Sequence, residues 1–250
     1  MSLNQAINDW LLAEQQRFHS TQDTGGVRRP HVTLSYAQSW DGSITSAPGN
    51  TMVLSSDAGM QMTHQLRSLH DGILVGIGTV LADDPQLTVR EWTGDDPQPI
   101  VLDSQLRMPA SSRLCQRAGR KCWVLTTRDT DASLDGCELI GVAGDDEGQI
   151  QLHAALALLH ERGIRHLMIE GGASVITAFL RAGLADALVL TVAPMLIGGY
   201  NAIGRLGDGN TGTYPQIAPL HSQQLENEII VWGRLRYGAG DSGARNGSTP

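Results

Sequence analysis

The sequence GIRHLMIEGGASVITAFLRAG, residues 163–183, places a strand, a glycine turn and a helix in immediate succession. Its apolar run at 167–169 is typical of a short buried strand, and Glu170 stands where that strand ends. Gly171 and Gly172 allow a sharp turn and let a ligand approach the backbone closely. The free N–H groups and the dipole at the start of the following helix favour an anion. The pattern predicts a phosphate-bearing ligand at the turn, although a plain strand-to-helix connection fits it equally well.

Length and composition narrow the class of protein. The chain has 250 residues, which fits one large domain or two small ones, and its hydrophobic content of 41% is sufficient for a core. A net charge of −8 argues against a surface for nucleic acid or an acidic membrane. The three cysteines form no C-x-x-C pair, and no apolar run approaches the roughly 20 residues of a membrane span. We therefore expect a cytoplasmic protein without a disulfide framework, a zinc site or a membrane anchor.

Short apolar runs alternate with amphipathic segments along the chain. Helical spacing of apolar residues predicts helices over 3–19, 57–69 and 151–162, besides the one that follows Gly172. Strands that alternate with helices indicate a mainly parallel α/β sheet with helices on both faces. The predicted strands lie at 31–37, 73–75, 100–102, 122–126, 139–142, 167–169, 187–193 and 229–232, and an extension of the last strand to residue 237 is left open.

Composition divides the chain into three parts. Residues 1–29 hold the N-terminal helix and a polar linker that begins at Ser20. Residues 30–237 are predicted to form the folded domain. The tail 238–250 is rich in Gly, Ser and Asn and is predicted to be disordered.

Three predicted strands end in glycine or polar residues, at 76–79, 103–104 and 170–172. Ligands of parallel sheets collect at the carboxyl ends of strands, so these exits are expected to converge on one cleft. Arg67 and Arg90 suit a substrate phosphate beside that cleft, because a guanidinium matches phosphate oxygens in pairs. Their alternative role is that of solvated or ion-paired surface residues. The histidines have no metal-ligand spacing, so no metal site is predicted.

The motifs together resemble the reductase domain of the riboflavin-biosynthesis deaminase/reductase proteins. That family has a dihydrofolate-reductase-like fold, which implies three layers around a mainly parallel central sheet of about eight or nine strands. The resemblance covers roughly residues 30–237. It rests on the segments at 39–42, 66–67, 73–90, 101–104, 170–172, 183–186 and 193–199.

The resemblance implies an NADPH-dependent reduction, in which the ribosyl group of a ribosylaminopyrimidine 5′-phosphate is opened and reduced to a ribityl group. It also implies a homodimer, to which the apolar strand at 187–194 is expected to contribute an edge. Glu170 and Asp83 are the candidate proton donors, and the sequence does not choose between them. The cofactor residues implied are Ala37, Val53, Thr79, Asp83, Ser104, Gly172, Ala173, Ser174, Val175 and Ile176, within a turn and helix that continue to Ala178. The substrate residues implied are Thr51, Arg67, Leu87, Arg90 and Glu170.

Two positions depart from the family pattern. Bacterial two-domain members often have lysine where this chain has Ser35, and tryptophan where it has Val53. The zinc signature of the deaminase is absent from the sequence, so a stand-alone reductase is expected. Two alternatives stay open: a reductase of the same fold that acts on another substrate such as a dihydropterin, and a non-catalytic nucleotide-binding protein.

Overall fold

The computed structural model describes residues 2–22, 28–117, 119–128, 130, 133–207 and 214–238. Its helices are α1 (Leu3–Gln22), α2 (Asp57–Ser68), α3 (Ile77–Asp83), α4 (Leu152–Glu161) and α5 (Ala173–Arg181). Its strands are β1 (His31–Ser39), β2 (Ser43–Thr45), β3 (Gly72–Gly76), β4 (Gln98–Leu102), β5 (Cys122–Thr126), β6 (Cys137–Gly141), β7 (His166–Glu170), β8 (Ala187–Ala193), β9 (Tyr200–Asn201), β10 (Gln216–Leu225) and β11 (Glu228–Arg236).

A nine-stranded sheet organises the chain, in the order β10-β11-β8-β1-β7-β3-β4-β5-β6. The neighbours from β8 to β6 pair in parallel, and β11 pairs antiparallel with both β8 and β10. The small strands β2 and β9 form a separate antiparallel pair. The predicted mainly parallel sheet of eight or nine strands is therefore confirmed.

Successive side chains of the central strands pack alternately into two hydrophobic layers, one on each face of the sheet. On β3, Leu74 packs into the layer under α4 and α5, whereas Ile73 and Val75 face the opposite side. Ile73 is the register neighbour of Met168 on β7, which packs against α1 and α2. Helices thus cover both faces, with α1, α2 and α3 on one face and α4 and α5 on the other.

Helix α1 packs into the main core. Leu3, Ile7 and Leu11 are buried against α2 and the sheet. Glu14 accepts two hydrogen bonds of 2.7 Å from the Arg234 guanidinium on β11, which anchors the helix to the sheet. The helix continues through residue 22, so the prediction that a linker begins at Ser20 is wrong; residues 23–27 lie outside the described part of the chain.

Several element boundaries follow local chemistry that the sequence shows. The Ser56 side chain accepts a hydrogen bond from the Gly59 amide at the start of α2, as expected of an N-cap. Gly183, with φ of 65°, follows the end of α5 in the left-handed conformation that terminates many helices. The predicted disordered tail falls, from residue 239 onward, outside the described residues.

Two features of the sheet differ from the prediction. Strand β8 lies between β1 and β11, so it is an interior strand and the expectation that it supplies a dimer edge is wrong. The edge strand on that side is β10, which the sequence pattern did not predict. β10 is largely exposed and contains Pro219, and exposed edge strands need no alternation of apolar residues.

Candidate active site at the carboxyl ends of the strands

A cavity of about 1500 Å³ opens where β1, β3, β4 and β7 end. The three predicted strand exits do converge, because Gly76, Ser104 and Glu170 all line it. Most of the predicted cofactor and substrate residues also lie in its wall. These are Ala37, Thr51, Val53, Thr79, Asp83, Leu87, Ser104, Glu170, Gly172, Ala173, Ser174 and Val175.

The turn between β7 and α5 has the geometry of an anion cradle. Gly171 and Gly172 have φ of 79° and 87°, a region that side-chain-bearing residues rarely adopt. A Cβ at Gly172 would lie 3.1 Å from Thr79 Oγ1, a tight contact that the Thr79 side chain would have to relieve by moving a few tenths of an ångström. No side chain caps α5, which leaves the amides of its first turn for a ligand. The turn therefore fits a phosphate group.

Arg67 lies behind this turn and pairs with Glu170. Its Nε donates to Glu170 Oε2 at 2.8 Å, and Nη2 donates to the other carboxylate oxygen. The remaining nitrogen, Nη1, donates to the Thr88 carbonyl at 2.8 Å. Arg67 is only 5% exposed and is not part of the cavity wall. Its guanidinium faces the protein, so it orients Glu170 and does not reach into the cavity.

Two other predicted site residues are also not brought to the cavity. Arg90 is exposed; its Nη1 donates to Thr88 Oγ1 at 2.9 Å, and its backbone amide donates to Nδ1 of the buried His64 at 3.1 Å. Ile176 is fully buried in the core between α5 and the sheet. The cavity wall includes neither residue.

The segment after α3 holds a strained backbone at the cavity rim. Asp84 and Leu87 have φ of 40° and 52°, in the left-handed region that is costly for a leucine. The hydrogen bond from Arg67 to the Thr88 carbonyl ties this segment to Glu170. Asp83 precedes it, and partial removal of water raises the pKa of the Asp83 carboxyl above its usual value.

The sequence pattern did not single out one side of the cavity. Arg107, which follows β4, and the segment 149–153 at the start of α4 both line it, together with Asp145 and Glu147. The acidic run at 145–147 is typical of a solvated loop. No local pattern shows that the fold brings it to a ligand cavity.

The described residues hold no group of three or more His, Cys, Asp or Glu side chains arranged to bind a metal ion. Cys115, Cys122 and Cys137 are free thiols. None of the described helices combines the length and the apolar character that crossing a bilayer requires.

Comparison with known proteins gives consistent matches. The family model described as the RibD C-terminal domain matches residues 30–231. The 2,5-diamino-6-ribosylamino-4(3H)-pyrimidinone 5′-phosphate reductase of Methanothermobacter thermautotrophicus is 38% identical over 180 residues, which cover 70% of this chain and 82% of that protein. The riboflavin biosynthesis protein RibD of Aquifex aeolicus is 33% identical over 209 residues, covering 82% of this chain; the chain spans only 57% of that protein. The solved structure of the Saccharomyces cerevisiae riboflavin biosynthesis reductase Rib7 superposes with a TM-score of 0.71 at 27% identity, covering 90% of this chain and 99% of that one.

Proposed function

Because this chain belongs to the RibD C-terminal domain family, we propose that it reduces a ribosylaminopyrimidine 5′-phosphate to the corresponding ribityl compound with NADPH in riboflavin biosynthesis. The family membership that the motifs predicted is confirmed. The observation that carries the proposal is the junction of β7 and α5, where Glu170 and the uncapped amides beyond Gly172 face one cavity. An enzyme that reduces the ribosyl group with a dinucleotide must bind the dinucleotide and contact the polar substrate in the same cavity.

The β7–α5 turn supports a nicotinamide dinucleotide as the cofactor. A pyrophosphate on the amides of Ala173 and Ser174 gains from the helix dipole, and the positive φ of Gly171 and Gly172 favours residues without side chains at the turn. The cofactor supplies the hydride. The chain must hold the acceptor carbon of the sugar close to the hydride donor and keep water away.

The two candidate acids have different surroundings, which supports different roles. Glu170 accepts two charge-assisted hydrogen bonds from Arg67, so we assign it to accept hydrogen bonds from the amino groups of the substrate. Asp83 has a carboxyl group with a raised pKa and no ion-pair partner among the described residues. We assign Asp83 as the proton donor for opening of the ribosyl ring.

Relatives of similar length to this chain support one of the two candidate pyrimidine substrates. The Methanothermobacter protein, 82% of which this chain covers, is named for the 2,5-diamino-pyrimidinone substrate. We propose the same substrate for this chain, which places its reduction before deamination. The homodimer and the cytoplasmic location stay predictions.

Steady-state NADPH oxidation tests this function. The purified chain is incubated with the diaminopyrimidinone ribosyl phosphate, with the deaminated aminouracil analogue and with a dihydropterin, each with NADPH and with NADH. The proposal predicts the highest kcat/KM for the diaminopyrimidinone with NADPH and formation of the ribityl product. Faster turnover of a dihydropterin would contradict the substrate. Binding of NADPH without turnover of any of these compounds would favour a non-catalytic nucleotide-binding protein.

A further inference from the structure

One carboxylate that the proposed mechanism does not use joins two loops beside the cavity. Asp41 lies in the turn between β1 and β2 and is exposed, yet its side chain accepts four hydrogen bonds. Oδ1 accepts from the Ser39 hydroxyl at 2.6 Å and from the Ile197 amide at 2.9 Å. Oδ2 accepts from the Ser43 hydroxyl at 2.9 Å and from the Gly198 amide at 2.7 Å. Asp41 therefore ties the β1–β2 turn to the loop that follows β8.

These donors favour the ionised form of the carboxylate. The Ser39 hydroxyl and the amides of Ile197 and Gly198 lower the pKa of the Asp41 carboxyl well below its usual value. Asp41 is therefore an anion near neutral pH, and all of its hydrogen bonds are charge-assisted. An asparagine at this position has only one acceptor oxygen, so it cannot accept from both sides as the carboxylate does.

The loop between β8 and β9 packs closely against β2. The Gly199 amide donates to Ser43 Oγ at 3.0 Å, and Ser43 in turn donates to Asp41. A Cβ at Gly199 would lie 2.3 Å from the Thr45 carbonyl oxygen, so this approach requires glycine. Tyr200 comes next and is the register partner of Thr45 in the β2–β9 pair. The position of Tyr200 therefore depends on three preceding amides that Asp41 holds directly or through Ser43.

Tyr200 connects this network to the cavity. It is partly buried and lines the cavity together with Thr45. With Ala173 and Ser174 it also lines a smaller adjoining cavity of about 620 Å³, so it lies near the amides to which the proposed function assigns the pyrophosphate. A tyrosine suits a dinucleotide, because its ring packs against flat groups and its hydroxyl donates to phosphate oxygens.

We propose that Tyr200 contacts the bound dinucleotide and that Asp41 is the positioning residue that holds Tyr200 at the cavity wall. The inference rests on the proposed function, because NADPH is the ligand that it requires. Asp41 itself is not part of the cavity wall, so its effect on the ligand must pass through the residues it holds.

Calorimetric titration of the full-length chain with NADPH tests the proposal without relying on activity. Tyr200→Ala and Asp41→Ala should each weaken NADPH binding by about tenfold, as expected for loss of one aromatic contact. In the Tyr200→Ala background, Asp41→Ala should change the affinity by less than about threefold, because the contact that Asp41 positions is already gone. Asp41→Asn keeps the shape of the side chain and one acceptor oxygen, so its affinity should lie between those of wild type and Asp41→Ala.

Asp71→Ala is the matched control. Asp71 is also an exposed acid that holds a loop, since its Oδ2 accepts from the amides of Arg165 and His166 at 2.8 Å each. It lies at the amino end of β3, away from the cavity. Asp41→Ala and Asp71→Ala should both lower the urea midpoint, but Asp71→Ala should change NADPH affinity by less than about threefold.

The proposal is overturned if Asp41→Ala leaves NADPH affinity at the wild-type value, or weakens it equally with and without Tyr200. An equal loss of affinity in Asp71→Ala would also overturn it, because the effect would then follow from general destabilisation. If Asp41→Ala does not fold, the same cycle with Asp41→Asn gives the decision. A wild-type chain that binds no NADPH would refute the proposed function as well, which is distinct from a wild type whose affinity none of these variants changes.

Discussion

Neutralising Glu170 is expected to destabilise the fold more than removing its partner Arg67. The Arg67 side chain is 6% exposed, whereas that of Glu170 is 23% exposed and borders the cavity. Glu170→Gln leaves a buried guanidinium without its carboxylate, which costs about 3–5 kcal/mol. Arg67→Met leaves a carboxylate that water can partly reach, and we expect about 1–3 kcal/mol.

The double variant Arg67→Met/Glu170→Gln removes both charges, so it should be more stable than the sum of the two single losses implies. We expect a coupling of at least about 1 kcal/mol. Urea unfolding followed by tryptophan fluorescence, without ligand, measures all four proteins. Single losses that add within about 0.5 kcal/mol, or a larger loss for Arg67→Met than for Glu170→Gln, would refute the reasoning.

The same four proteins separate two roles of Arg67 in the reaction. If Arg67 binds the substrate phosphate, Arg67→Met should raise the KM for the pyrimidine substrate by about 10- to 100-fold, both in the wild-type protein and in Glu170→Gln. If Arg67 acts only by orienting Glu170, Arg67→Met should raise this KM in the wild-type protein but change it by less than about threefold in Glu170→Gln. The hydrogen bonds of Arg67 to Glu170 and Thr88 predict the second result.

Two further predictions concern buried histidines and the glycine turn. Burial lowers the pKa of His31 to about 4 and that of His70 to about 3. Histidines of the unfolded chain have a pKa of about 6.5, so the unfolded chain binds protons more readily than the folded one. The free energy of unfolding should therefore fall as pH drops below about 6.5, by up to about 1.4 kcal/mol per pH unit for each of the two histidines. Urea midpoints measured from about pH 7 to pH 5 check this, and a flat profile would contradict it. Gly172→Ala and Gly163→Ala both force alanine to positive φ, at about 1–2 kcal/mol each. Only Gly172→Ala crowds Thr79 in the cavity, so calorimetry should show NADPH affinity about tenfold lower in that variant alone; equal affinities would place the dinucleotide elsewhere.

The central elements could be predicted because their sequences are locally consistent. The apolar runs of β3, β4 and β7 sit between glycine or polar residues, and α5 combines an apolar stripe with glycines before and after it. The wall residues at the exits of β3, β4 and β7 follow from this pattern, since the exits of parallel strands share one edge of the sheet. Other wall residues named in advance, such as Thr51, Val53 and Leu87, follow from the family resemblance alone. Helix α3 was not predicted, because Gly78 interrupts its short helical pattern.

The remaining features depend on contacts between residues far apart in the chain. Nothing near Arg67 in the sequence indicates that its guanidinium pairs with Glu170, 103 positions later. The sequence therefore does not decide between an ion pair and a phosphate ligand for Arg67. The interior position of β8 is set by its pairing with β11, and β11 follows it only after a long connection. Arg107 lies in a loop without periodicity, and only the folded sheet brings it to the cavity.

Transfer of deuterium from NADPH labelled at nicotinamide C4 tests the central claim most directly. Direct hydride transfer requires the nicotinamide beside the sugar, so the ribityl product should gain one deuterium at C1′ from one of the two C4 isotopomers, as read by mass spectrometry. Reaction of unlabelled NADPH in D₂O should leave that carbon free of deuterium. A product that carries no label from NADPH, or that takes its carbon-bound hydrogen from solvent, would contradict direct reduction in this cavity.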